Sequence, residues 1–405
     1  MTEIRVPKGG RVRLGTVEGD LRVENGARIE VDGRLVVPGR ARFEGHAEVA
    51  GAFECGSFRS EEGTVRVLGD LIVQQDLGSQ DGAVEVEGQL RARAVDVDRG
   101  LRVAGPVTAE TIEVGGVLEG GDTLNATTVS VGGRFHLKGK LTAQAVEAGG
   151  SIDVGEVELQ SLEVGGLVRL QGGSVRKTIE VGGRFVSEGS VEFGSLEVGG
   201  VADLHADGRG GSVEVGGMFS VRGDLSFSSL EVGGIGTIRG KARGESVEVG
   251  GTFEVGGPLE LQGHLEVGGS ISVEAELAAG DLELGGKLSA RRATFRTRAV
   301  IGGSARTKEG LKAQDLRLAR KARADGPLIG GAIRLDEKAR AEELFGATVE
   351  LGKRASARRI FAAHVRLDDG AVADEVTYTE SVDLRPGALV RSPPRRVDAL
   401  PPFPL

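Results

Sequence analysis

The stretch VSVGGRFHLKGKLTAQA, Val129 to Ala145, decides the fold. Its apolar side chains stand at Val129, Val131, Phe135, Leu137, Leu141 and Ala143, in three pairs whose members are two positions apart. A spacing of two marks a strand with one buried face. Between pairs the chain has to turn. The first turn falls on Gly132-Gly133, where a positive φ is sterically free. The same figure returns at Val213, Val215, Phe219, Val221, Leu225 and Phe227, and again at Val247, Val249, Phe253, Val255, Leu259 and Leu261. One unit is therefore three short strands and three corners.

The unit repeats. The first glycine of VGG stands at Gly115, Gly132, Gly165, Gly182, Gly199, Gly216, Gly233, Gly250 and Gly268, with AGG at Gly149, LGG at Gly285 and IGG at Gly302 on the same 16- to 18-residue beat. The beat outlives the glycines in the triplets that start at Leu316, Ile333, Val349, Val365 and Val382, and reaches back to Val95. Upstream, triplets at Val12, Ile29, Ala47 and Val65 read as looser units. The phase breaks between Val65 and Val95, and an inserted loop near residues 70–82, polar and glycine-ended, would account for it.

Three strands of this length cannot enclose a core alone, but stacked units can, each strand pairing in parallel with its equivalents. The expected fold is an all-β, three-sided parallel β-helix (a β-solenoid) of about 17 residues per rung and roughly 22 rungs, about 105 Å long at ~4.8 Å per rung. Residues 1–385 form a single elongated domain in this reading. It divides into loose rungs over 1–94, regular acidic rungs over 95–286 and basic rungs over 287–385, with a proline-rich tail or cap over 386–405. The segment from Asp336 to Gly346 has helical propensity, yet the beat runs through it, so it is assigned to the solenoid.

Composition excludes several alternatives. The 405 residues include 68 Gly, but no strict Gly-X-Y period, so the chain is not collagenous. One cysteine, Cys55, forms no internal disulfide, and five histidines with one cysteine leave little for a zinc site. No metal or other cofactor is expected. No apolar run is long enough for a membrane helix, and the N-terminus has no apolar signal core.

The middle residue of the first triplet points to solvent. Glu113, Glu147, Glu163, Glu180, Glu197, Glu214, Glu231, Glu248, Glu266 and Glu283 occupy it, with Ser130 the exception. Stacking sets these carboxylates in one line, each adjacent pair repelling by about 1 kcal/mol in water. Such a line either keeps copies from sticking side to side or docks a basic partner. Past Gly286 the position becomes Arg317, Arg334 and Arg366, broken by Glu350 and Asp383. Residues 287–405 hold 24 Lys and Arg against 15 Asp and Glu, while the whole chain has net charge −9. That asymmetry favours end-to-end or staggered self-association. Aromatic residues are too sparse for base stacking, so nucleic acid is not an expected partner. In the tail, Pro393, Pro394, Pro401 and Pro402, with Phe403, would fold across the last rung as a cap or extend as a recognition segment.

Stretches such as NGARIEVDGRLVVPGRARFEGHAEVAG (Asn25 to Gly51) and IEVGGVLEGGDTLNATTVSVGG (Ile112 to Gly133) resemble bactofilins, polymer-forming bacterial cytoskeletal proteins. The resemblance implies a right-handed β-helix that assembles end to end into non-polar filaments without nucleotide, in the cytoplasm or at the inner face of the membrane. This chain is several times longer than a typical bactofilin domain and lacks the family's long disordered N-terminal tail. The functional expectation is a structural scaffold, filament subunit or spacer, with no enzymatic activity. The alternative is a non-polymerising module that holds a partner protein along the glutamate line or by the proline tail. A lesser alternative is a hexapeptide-type acyltransferase, whose rungs are built from hexads in strict register with a histidine near a subunit interface. Here His46, His264 and His364 share a corner position but lie far apart in sequence.

Overall fold

A computed structural model describes residues 3–402, and among them every regular element is a β-strand. The chain divides into two compact units, Met1–His205 and Ala206–Leu405. Each is a stack of parallel coils about 17 residues apart, and the two hold about 23 coils between them, a β-solenoid as the repeat predicts.

In the first unit three strands make one coil. Gly100–Val103 pairs with Val117–Gly120, Val107–Thr108 with Leu124–Asn125, and Thr111–Val114 with Thr128–Val131, always in parallel and at one constant sequence offset. The ladder containing Thr111–Val114 is called face A here, that of Gly100–Val103 face B, and that of Val107–Thr108 face C. The second unit repeats the arrangement with Ser229–Val232 on Ser246–Val249, Ile235–Ile238 on Thr252–Val255, and Leu225–Ser226 on Ala242–Gly244. Alternation sends Ile112, Val114, Leu118 and Leu124 inward, all at most 2% exposed. Burying each such side chain stabilises the stack by about 1.5–3 kcal/mol. Phe43 stacks on Phe58 at 5.0 Å near the N-terminal end of this core.

Four sequence expectations need correction or extension. The Gly-Gly corners are not left-handed turns, because positive φ occurs elsewhere. Glycine is needed there for stacking: a Cβ on Gly132 would lie 2.3 Å from the carbonyl oxygen of Gly115, and one on Gly133 2.5 Å from that of Gly116.

The triplets at Val12, Ile29, Ala47 and Val65 belong to face B, not face A. Val12 pairs with Ile29, and Val65 with Val84, which pairs with Leu101. Face A runs upstream from Val95 through Leu77, Phe58, Ala41, Leu21 and Ile4. The apparent phase break is this change of face combined with longer coils, as the pairing of Phe58 with Leu77 shows. No loop is inserted near 70–82, which holds the strand Leu71–Val73 and the start of Asp76–Val86.

The ladder also runs past residue 385. Leu389–Val390 pairs with residues 372–373, and Arg395–Arg396 with residues 377–378. The segment from Asp336 to Gly346 contributes to the strand Arg340–Leu351, so stacking overrides its helical propensity.

The C-terminal coils turn differently. Lys321, Lys338, Arg354, Gly370 and Gly387 are all left-handed, with φ of 65°, 62°, 56°, 68° and 83°. The next residue closes each turn: the Ala322 N–H donates to the Ala319 carbonyl at 3.0 Å, and that of Ala339 to Asp336 at 3.1 Å. Ala322, Ala339, Ala355 and Ala371 then stack inward, at most 1% exposed.

Candidate functional site

The outward position of face A carries the most regular chemistry. In the first unit the register runs Glu113, Ser130, Glu147, Glu163, Glu180, Glu197. In the second it runs Glu214, Glu231, Glu248, Glu266, Glu283. Each is flanked by two inward aliphatics, so strand alternation forces its carboxylate into solvent. All ten glutamates are exposed. Among the described residues only Glu266 has a cationic neighbour, His264 Nε2 at 3.6 Å.

Elsewhere the coils balance charge between neighbours. Lys140 meets Glu158 at 2.8 Å, Arg243 meets Glu260 at 2.8 Å and Arg292 meets Glu309 at 2.9 Å. Exposed pairs of this kind contribute about 0.2–1 kcal/mol each. The glutamate line stands out as the surface left uncompensated.

The same line has an N-terminal part that the sequence reading missed. Register places Arg5, Arg22, Arg42, Arg59, Gly78 and Asp96 in succession, leading into Glu113. The available signal was an arginine inside an apolar triplet, in IRV at Ile4, LRV at Leu21 and ARF at Ala41. Coils of uneven length hid the phase. Arg22 pairs with Glu44 at 2.7 Å and Arg42 with Glu61 at 2.7 Å, and Arg5 pairs with Glu24. Arg59 has no ion-pair partner among the described residues and lies over Gly78.

Arg317, Arg334 and Arg366 do share one line in the second unit, with Glu350 between the last two. They are not free cations. Arg317 and Arg334 meet Asp336 at 2.8 and 3.2 Å, and Arg366 meets Asp368 at 3.5 Å. With Arg320 and Lys353 they border an open cleft of about 570 Å³.

The tail prolines Pro393, Pro401 and Pro402 are exposed and Pro394 is half-buried; Phe403 lies outside the described residues. Histidines do not converge. His264 opens a face A strand and His364 stands at the face A part of the strand Ser356–Leu367, whereas His46 precedes a face B segment, so the shared corner read from the sequence does not hold. His264 Nδ1 lies 2.8 Å from Asp281, His364 Nδ1 2.9 Å from Ser381 Oγ, and His205 Nδ1 2.7 Å from Glu188. Cys55 is buried, and burial pushes its thiol up to about 12, which keeps it un-ionised at neutral pH. Among the described residues no group of three or more His, Cys, Asp or Glu is placed to hold a metal ion, and no helix is long and apolar enough to cross a membrane.

Comparison with known proteins yields no matching family model, no matching curated protein and no matching solved structure.

Proposed function

We propose that this chain is a structural scaffold of bactofilin-like character, a β-solenoid subunit that self-associates into filaments or serves as a spacer. The supporting observation is the parallel ladder itself, in which each coil joins the next through the same three strands, a pairing that a coil of a second copy can continue. Among the described residues, Glu3–Val6 pairs only with Asp20–Val23, and Arg11–Thr16 only with Ala27–Glu44. At the other terminus Leu389–Val390 and Arg395–Arg396 each pair on one side only. A parallel edge that no further coil of its own chain covers is a template for another chain. Apolar side chains accompany them: Ile4 is 37% exposed, Leu384 43% and Leu389 54%.

Electron microscopy and sedimentation of the full chain test this reading. Assemblies that grow with protein concentration are expected. Particles of single-chain mass at every salt and protein concentration would overturn it. A scaffold in the cytoplasm, or at the inner face of the membrane, fits the bactofilin resemblance.

A second reading draws on the uncompensated glutamates. A non-polymerising module would use them to hold a basic partner protein. Single-chain particles that bind polylysine at low salt, and release it at high salt, would favour that reading over the first.

A further inference from the structure

The outward line of face A in the first unit has twelve positions: Arg5, Arg22, Arg42, Arg59, Gly78, Asp96, Glu113, Ser130, Glu147, Glu163, Glu180 and Glu197. Its first four are cationic and its last four anionic. Read backwards, the line is its own electrostatic complement. We infer that face A of the first unit is an isologous interface, on which a second copy docks antiparallel about a two-fold axis between Asp96 and Glu113. The inference deepens the self-association proposed above and rests on it, adding which face meets and in which orientation.

A two-fold contact must be self-complementary, residue for residue. Antiparallel pairing about this axis sets Arg5 against Glu197, Arg22 against Glu180, Arg42 against Glu163 and Arg59 against Glu147. Symmetry doubles each contact. Gly78 meets Ser130, the two smallest residues of the line, one position out from the axis. Asp96 meets Glu113, the one like-charged contact, and it sits where Arg59 reaches across Gly78.

Two features prepare the face. Among the described residues the glutamates have no cation of their own in this unit, so a second copy supplies what the coil stack omits. Beside the glutamates the other outward line holds Ala94, Thr111, Thr128, Ala145, Ser161, Thr178 and Ser195 in register, and beside the arginines it holds Glu3, Asp20, Arg40, Ser57 and Asp76. In the antiparallel arrangement the short side chains of the glutamate half lie opposite the longer ones of the arginine half, which leaves room for two sheets to approach to about 10 Å. The arginines are partly engaged already, but a guanidinium has five N–H donors and can serve two carboxylates. Arg59, with no carboxylate partner among the described residues, is the most available.

The test uses the full chain in sedimentation velocity, with ionic strength raised from about 0.01 M to about 1 M, which shortens the screening length from about 30 Å to about 3 Å. The wild type should pair at low salt and separate at high salt. An Arg22→Glu, Arg42→Glu, Arg59→Glu variant, acidic at every charged position of the line except Arg5, should lose this association. So should its mirror, Glu147→Arg, Glu163→Arg, Glu180→Arg. Mixing the two should restore a salt-sensitive heterodimer, which also shows that each variant is folded. Salt-sensitive association unchanged in both variants would overturn the antiparallel contact and leave self-association through the ends intact. A wild type that stays single-chain at low salt would overturn both. Capture of polylysine by such a single chain would assign the glutamates to a basic partner instead.

Discussion

The Cβ that Gly166 lacks would lie 2.3 Å from the carbonyl oxygen of Gly150, its equivalent one coil earlier. The corner therefore excludes every side chain by contact with backbone, which cannot rotate away. Gly166→Ala should destabilise the protein by about 1–3 kcal/mol, the usual cost of overpacking. Gly15 is the control: nothing lies within 4 Å of its Cβ position and its φ is not positive. Gly15→Ala should be neutral, or stabilise by up to about 1 kcal/mol through the unfolded chain. Thermal unfolding of the two variants beside the wild type checks the contrast, and equal shifts would refute it.

At the C-terminal corners the requirement reverses. Lys321, Lys338 and Arg354 hold the left-handed conformation that Gly370 and Gly387 occupy in the following coils. A non-glycine residue there is strained by about 1–2 kcal/mol, and glycine's greater unfolded freedom offsets about 0.5–1 kcal/mol of the relief. Lys338→Gly should therefore stabilise modestly, by about 0.5 kcal/mol. The double variant Lys321→Gly, Lys338→Gly should add to that, since each turn closes its own hydrogen bond. A fall in melting temperature for either would show that the lysine stems contribute more than the turns cost.

These two corners show what was legible in the sequence. The pairs Val129/Val131, Phe135/Leu137 and Leu141/Ala143 disclosed three strands per coil, because alternation depends only on which side chains avoid water. The role of Gly132-Gly133 was not legible. Tolerance of positive φ and absence of a Cβ are both properties of glycine, and only the neighbouring coil tells them apart. Face A was traced correctly where coils keep a steady beat, and the glutamates fell into line. It was lost between Val65 and Val95 because the coil from Phe58 to Leu77 is longer than the regular repeat, so a register argument built on that repeat slid onto face B. The arginines from Arg5 to Arg59 were hidden by that slip.

Inside the N-terminal core, Ser60 Oγ donates to Ser79 Oγ at 2.7 Å, and both serines are nearly inaccessible, 3% and 4% exposed. Removing one partner leaves a buried hydroxyl unsatisfied. Ser79→Ala should cost about 1–3 kcal/mol, while the double variant Ser60→Ala, Ser79→Ala should recover part of that loss. A double-mutant cycle by chemical denaturation measures the coupling. Strict additivity would mean that the two hydroxyls do not depend on each other.

His264 gives the second unit a pH-dependent contact. Burial alone would disfavour its charged form, but Asp281 at 2.8 Å on Nδ1 and Glu266 at 3.6 Å on Nε2 outweigh it, and the imidazole's pKa is raised above 6.5. A histidine held above its unfolded value adds stability in full below about pH 6.5. That stability is lost as pH rises through the folded value. The melting temperature of the wild type should therefore exceed that of Asp281→Asn by more at pH 5.5 than at pH 8.5. His264→Gln should abolish the difference between those two pH values, because no titrating imidazole remains at the contact. Proton NMR of the His264 ring in the wild type reads the same quantity directly. A midpoint at or below that of a free histidine would refute the assignment, since the carboxylates would then be too weakly coupled to overcome burial.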